Sequence, residues 1–475
     1  MVFSTSLFLL FFLPAFLAGY HLLPRPARNT FVLLASALFY AWGAPRFLFV
    51  VLGVTFLDFH FVKRMAAANG PARKRAWLVA SLAMNLGLLG YFKYAGFFVG
   101  NVNALLGAAG LGPLPWAEVF LPLGISFYTF ETVTYVVDVY RGVHAPLGRF
   151  ADYQLYILFF PKLLAGPIVR FHEIADQIGD RSRYETAGRF LGGFVRFVLG
   201  LAKKVLIADV LGVTVRKGFA LDAAALDAPA AWLLLAAFLT QIYFDFSGYS
   251  DMALGLAAMV GFRLPENFRD PFVSTSVTEF WTRWHVTLSA WMRSYLYVPL
   301  GGNRLGTRRT LANLWIVFLV SGLWHGAAWH YVLWGAWHGL FIVAERTAFG
   351  RLLAKAGPVA GRAYVFLAVV ASMALFRPAG LLSENLRTLA ALAGGGSGTA
   401  ALPLDREFAV TLGVALVFTF FAALPGAAAI QRLVFDDDPS LPRQLALVPA
   451  AGLLLLLCLS MVAWSPFSPF VYFRF

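Results

Sequence analysis

Long apolar runs alternate with short polar breaks along the whole chain. Several runs approach the roughly 20 residues that a helix needs to cross a ~30 Å hydrocarbon layer. The first covers about Phe3 to Leu23, with no basic stretch before it and no small-residue cleavage pattern after it. It reads as a retained span and not a cleaved leader. Its positive charges, Arg25 and Arg28, follow it, which predicts an N-terminus outside. The loop 63–75 holds Lys63, Arg64, Arg73, Lys74 and Arg75 and is expected inside. The stretch 99–116 has no Lys or Arg and is expected outside, and Arg141 and Arg149 mark the next inner loop. Beyond residue 150 the alternation blurs. Segments 153–168 and 286–300 are apolar but short, interrupted by Pro or Gly, and read as re-entrant or tilted pieces. The pattern predicts an all-α polytopic membrane protein with about eleven membrane segments.

Composition strengthens that picture. Hydrophobic residues make up 60% of the 475 residues and charged ones 13%, too little charge for a soluble surface. The mean hydropathy is +0.72. A net charge of +14 would suggest nucleic acid in a soluble protein. Here Lys and Arg collect in short loops, the pattern of cytoplasmic loops beside anionic lipid, so no nucleic-acid partner is expected. The one cysteine, Cys458, lies inside an apolar run and can close no intrachain disulfide. Gly394 to Gly398 reads as a flexible loop, and Asp436-Asp437-Asp438 as a solvated one. The whole chain, 1–475, reads as one membrane unit. Residues 350–475 have few intramembrane polar groups and look like scaffold.

Ionisable groups at membrane depth are costly, which makes each a candidate site. They gather in residues 240–345, the expected catalytic core. In Gln241 to Asp251, Asp245 and Asp251 stand six residues apart, with Gly248 suggesting a helix break between them. They either wall a polar cavity or cap broken helix ends and pair with Arg. In Thr278 to Ser289, Trp281, Trp284 and Leu288 share a helical face with His285 beside it, the build of an interfacial amphipathic helix. His285 is a site residue or an interfacial histidine bonded to backbone or headgroup. The third group holds His325, His330 and His338 among Trp324, Trp329, Trp334 and Trp337. These histidines lack the i, i+4 spacing of a helical metal pair, and few acids stand nearby, so no metal is expected. A neutral imidazole in an apolar tunnel can take a proton from a hydroxyl and hand it on. It can also simply bond between packed helices. Gly322 and Gly326 flank His325 and let a substrate or a neighbouring helix come close. No Gly-x-Ser-x-Gly elbow and no phosphate-binding Gly-x-x-x-x-Gly-Lys-Ser/Thr loop appears.

Eight blocks together resemble the membrane-bound O-acyltransferase family. They are Leu121 to Phe130, Asp138 to Gly142, Phe160 to Ile168, Tyr243 to Asp251, Leu264 to Phe268, Glu279 to His285, Tyr295 to Arg304, and Ser321 to Gly326. The ending Tyr472-Phe473-Arg474-Phe475 fits as well. Their order and spacing hold over most of the chain. The resemblance implies transmembrane helices and short re-entrant helices around a central tunnel. It implies His325, in the Leu-Trp-His-Gly block, as the catalytic residue and His285 as the second functional histidine. His330 and His338 are left as packing or cavity-wall residues.

The resemblance further implies a bacterial inner-membrane enzyme. A cytoplasmic acyl thioester, acetyl-CoA or another, would donate an acetyl group, with no cofactor bound. An extracytoplasmic acetyltransferase partner and an alginate-like exopolysaccharide would receive it. One departure stands out. The family commonly has Arg-Asp-Tyr where this chain has Arg293-Ser294-Tyr295, so an acidic partner is missing there. D-alanyl transfer to teichoic acid, proton-coupled transport through the histidines, and a non-catalytic scaffold in polysaccharide export are the competing readings.

Overall fold

The computed structural model describes residues 1–117, 119–377, 381–436, 440–464 and 469–470. Asp437, Asp438 and the ending Tyr472 to Phe475 lie outside the described residues. The described chain is helical for 77% of its length and contains no strand. Five stretches are long and apolar enough to cross a membrane: Pro45–Ala67, Pro71–Ala108, Ala228–Met259, Ala348–Phe376 and Leu441–Trp464. Shorter helices fill the space between them.

Ala228–Met259 is the axis of the molecule. Asp227 caps its first turn by accepting from the Ala230 N–H, and Pro229 stands at a position that needs no donor. The two buried apolar clusters meet along it. One takes Tyr249 to Val260, and the other takes Ala231 to Phe244. The helix runs unbroken through Gly248, so the expected break is absent. Gly248 serves close packing instead. A methyl group there would stand 2.7 Å from the Gly200 carbonyl oxygen of helix Ala187–Ala202, and one on Gly200 would stand 2.5 Å from that of Gly248.

Charges at this contact are paired. Asp251 accepts from Arg196 at 2.9 Å and from Lys203 at 2.6 Å, and Arg196 also holds Glu266. Lys204 pairs with Asp245 at 2.7 Å and Asp209 at 2.8 Å. Lys162 and Glu131 form a further fully buried pair. Both aspartates pair with basic residues, as one reading predicts, and Asp251 also lines a polar cavity of about 430 Å³ with Lys203, Ser250 and Glu266, as the other predicts.

The expected amphipathic helix around His285 is two helices, Val277–Arg283 and Val286–Met292. The chain turns sharply at His285, which adopts φ 46° and ψ 53°. Side chains with a Cβ seldom occupy that left-handed region, and it stores strain that the surroundings must hold. Gln241 to Asp251, by contrast, keep ordinary helix throughout. Cys458 is buried, with a free thiol.

Candidate active site

His325 ends the helix Thr307–His325 and is 6% exposed. Its ring meets Trp324 and Trp334 edge-on, each at 4.9 Å between centroids, and Phe376 at 5.2 Å. Gly322 brings the helix Trp329–Ala344 against this end. A Cβ on Gly322 would lie 2.2 Å from the Tyr331 carbonyl oxygen, and one on Gly326 would strike the Tyr331 ring. The close approach expected of these glycines is thus made to a neighbouring helix.

His285 is 1% exposed and stands on the other side of Trp324, 6.1 Å away between ring centroids. Phe246 meets it edge-on at 4.8 Å. Its Nδ1 donates to Asn267 Oδ1 at 2.9 Å. The amide orientation follows from a chain of donors. The Ile168 N–H donates to the Thr287 hydroxyl, which donates to Asn267 Oδ1, while Asn267 Nδ2 donates to Ser250. With Nδ1 carrying the proton, neutral His285 keeps its basic lone pair on Nε2. Backbone pairing holds the strained turn. Val286 N–H donates to the Asn267 carbonyl, Arg269 N–H to the Arg283 carbonyl, and Phe268 bridges Trp284.

The other two histidines are bonded between helices. His330 Nδ1 donates to the Leu375 carbonyl at 2.9 Å. His338 accepts from Trp281 Nε1 and donates from Nε2 to Ser372. Helix Ala348–Phe376, within the region read as scaffold, therefore supplies Phe376, Ser372 and Leu375 to this neighbourhood. Among the described residues no three His, Cys, Asp or Glu side chains gather where they could hold a metal ion.

Residues from before position 240 complete the site. Phe130 lies between Trp291, stacked at 3.7 Å, and Trp324 at 5.3 Å, and its carbonyl accepts from Trp291 Nε1. Lys93 donates to the Trp324 carbonyl and to Ser126. Sequence reasoning passed over Lys93 and gave Asn267 no role. A lone lysine inside the apolar stretch 76–108 was the available signal. No acid replaces Ser294 in Arg293-Ser294-Tyr295, but an acid from another helix bonds to its neighbour Tyr295. Asp138 accepts from the Tyr295 hydroxyl at 2.7 Å and from His172 at 2.8 Å, while Arg141 and Arg170 reach Ser294.

A cleft of about 480 Å³ runs between Val286–Met292, Thr307–His325 and the turn after Tyr297. Leu288, Met292, Val317 and Phe318 give it apolar walls, and Arg293, Arg304 and Arg346 also line it. Neither histidine lines it directly. It ends at Trp281 and Ser321, one helical turn before His325, and Trp281 touches Trp334, which touches His325. Such a site can bind a chain with an apolar arm and an anionic head, and can exchange a proton at buried neutral imidazoles.

The model of the membrane-bound O-acyltransferase family matches residues 147–374. The chain is 40% identical to the probable alginate O-acetylase AlgI of Pseudomonas putida, over the full length of both proteins. It is 39% identical to the protein of the same name from Azotobacter vinelandii, again over both full lengths. To the peptidoglycan O-acetyltransferase of Helicobacter pylori it is 36% identical, over 73% of this chain and 70% of that one. The gathering of several of the eight blocks around one buried, aromatic-walled histidine pair accords with these matches: the chain belongs to the membrane-bound O-acyltransferase family and is an O-acyltransferase of the membrane.

Proposed function

We propose that this enzyme takes an acetyl group from a cytoplasmic thioester and passes it across the bacterial inner membrane for O-acetylation of an alginate-like exopolysaccharide. The observation that carries this reading is the placement of His325 and His285 on either side of Trp324, both buried, with an arginine-lined cleft that stops one helical turn short of His325. The full-length likeness to alginate O-acetylases supports the substrate class.

In this reading residues 240–345 form the catalytic core, within about eleven membrane segments and with the N-terminus outside. The phosphates of acetyl-CoA, or of another thioester carrier, meet Arg293, Arg304 and Arg346, and the acyl arm lies along Leu288, Met292 and Phe318. His325 is the general base that takes the proton of the attacking hydroxyl, a role that supplies roughly 10²–10⁴-fold. His285, with its lone pair fixed on Nε2 by Asn267, relays that proton or orients the donor. The apolar walls exclude water and so protect the thioester from hydrolysis. An extracytoplasmic acetyltransferase carries the acetyl group on to the polymer.

The test is the O-acetyl content of secreted polysaccharide from cells lacking their own copy. They carry wild type, His325→Ala or His285→Ala at equal membrane abundance. His325→Ala is expected to abolish acetylation and His285→Ala to reduce it strongly. Normal acetylation by His325→Ala would leave a scaffold or a transporter as the better reading.

A further inference from the structure

Lys93 differs from the other deep cations. It lies in a single π-helical turn, Gly90–Tyr94, inside the membrane-long stretch Pro71–Ala108. Such turns often mark functional positions, because the extra residue breaks the regular hydrogen-bond ladder. Its ammonium donates to the Trp324 carbonyl, the one that joins Trp324 to His325, and to the Ser126 hydroxyl at 3.1 Å. It also stands 5.8 Å from the centre of the Trp324 ring. No carboxylate among the described residues bonds to it. An ammonium has three N–H donors, and two are accounted for here. Holding such a charge among apolar groups without a counter-ion is costly. A cost of that kind persists where the charge has work to do.

We propose that Lys93 is a further residue of the transfer step, the fixed positive charge of the site that opposes the negative charge developing on the acetyl carbonyl oxygen. The inference rests on the reading of His325 as general base. The alcohol oxygen bonds to the thioester carbonyl carbon while its proton passes to a ring nitrogen of His325. The carbonyl π pair moves onto oxygen, making a tetrahedral oxyanion. That pair returns, the C–S bond breaks, and the departing thiolate takes the proton from His325. The products are an ester and a free thiol, with His325 neutral again. The charge that appears and vanishes in this cycle is negative and sits on one oxygen. A preorganised cation in a water-poor site stabilises it without reorganisation. The titratable groups that act on His325 are His285 at the head of Val286–Met292, His338 on Trp329–Ala344, and Lys93. Helix Ala348–Phe376 faces it with Phe376. Lys93 is the one amine of that set, and the others are imidazoles.

The competing explanation is that Lys93 merely caps the helix of His325, as its neighbour Tyr94 does by donating to the Leu323 carbonyl at 3.0 Å. Acetylation is therefore measured per molecule of membrane protein for Lys93→Met, Lys93→Gln, Lys93→Arg, Tyr94→Phe and His325→Ala in cells lacking their own copy. The expected result is a loss of about 10²-fold for Lys93→Met and Lys93→Gln, the scale of one oxyanion donor. Lys93→Arg should regain a substantial part, and Tyr94→Phe should stay within about threefold of wild type, as the loss of one neutral cap allows. Wild-type acetylation per molecule by Lys93→Gln overturns the proposal. So does a loss matched by Tyr94→Phe, or a failure of both uncharged variants to accumulate, since each makes the lysine structural. Normal acetylation by His325→Ala removes the underlying reading of the base, whereas an inactive His325→Ala beside an active Lys93→Met removes only the role of Lys93.

Discussion

The helix contact Ala187–Ala202 with Ala228–Met259 and the pocket around Trp324 both bury polar groups, and they treat them in opposite ways. At the first, every cation named above meets carboxylates: Arg196 and Lys203 on Asp251, Lys204 between Asp245 and Asp209. At the second, the two histidines stand among aromatic rings, and the one cation leans on a carbonyl, a hydroxyl and an indole. Neutralised charge fixes how helices sit on one another, and little of it is left to act on anything else. Neutral imidazole in an apolar cage can change its protonation state in passing, which a proton-transfer step requires. The first region holds the second in place, since Asp251 and Ser250 share a helix and Ser250 accepts from Asn267.

The comparison breaks most plainly at Lys204. Lys204→Met leaves Asp245 and Asp209 without their shared cation, which should cost about 3–5 kcal/mol of stability. Membrane abundance should fall severely, and whatever protein survives should acetylate normally per molecule. The triple change Lys204→Met, Asp245→Asn, Asp209→Asn should restore much of the abundance, because uncharged groups of similar shape remove the uncompensated charge. Should Lys204→Met accumulate fully and lose activity instead, the ion-pair layer belongs to the chemistry.

Asn267 sharpens the comparison from the other side. Asn267→Ala removes the acceptor that fixes the His285 ring, and a misplaced group of this kind can cost about 10²-fold in rate. Because the loss acts through His285, the double variant His285→Ala, Asn267→Ala should acetylate no worse than His285→Ala alone. Additive losses in that cycle would show a separate function for Asn267.

Much of this was legible before any coordinates. The blocks around His325 and His285 stand out because an ionisable imidazole at membrane depth is costly and needs a reason, and because small glycines beside it allow close approach. What escaped was set by contacts distant in sequence. The bend at His285 is invisible in Thr278 to Ser289, whose spacing suits one helix, because Asn267 and the Phe268 bridge impose it from outside. Gly248 was misread as a break because a glycine in a helix and a glycine at a helix contact look alike until Gly200 arrives opposite. Asp138 could not be matched to Tyr295 across so long a stretch of chain. Lys93, between Phe92 and Tyr94, resembles a lysine at the edge of a span until its ammonium is seen on the Trp324 carbonyl.

The smallest effect concerns paired charge where it meets water. Glu185, in the turn after Ser182–Tyr184, accepts from Tyr20 at 2.6 Å and from Arg28 at 2.7 Å, with Arg181 nearby. Burial alone would push its carboxyl up, but the bonds from Tyr20 and Arg28 and the charges of Arg28 and Arg181 outweigh it, so the pKa lies below the ordinary value. A carboxyl with a depressed folded pKa adds stability above its unfolded pKa of about 4.3, and that stability is lost as pH falls through the folded value. Wild type should therefore lose thermal stability on acidification from about pH 6 to pH 3, and Glu185→Gln should start lower at pH 6 and lose less over the same interval. Melting of the detergent-solubilised proteins across that range checks it. Parallel curves would mean that this cluster, unlike the ion pairs along Ala228–Met259, contributes nothing to holding the helices together.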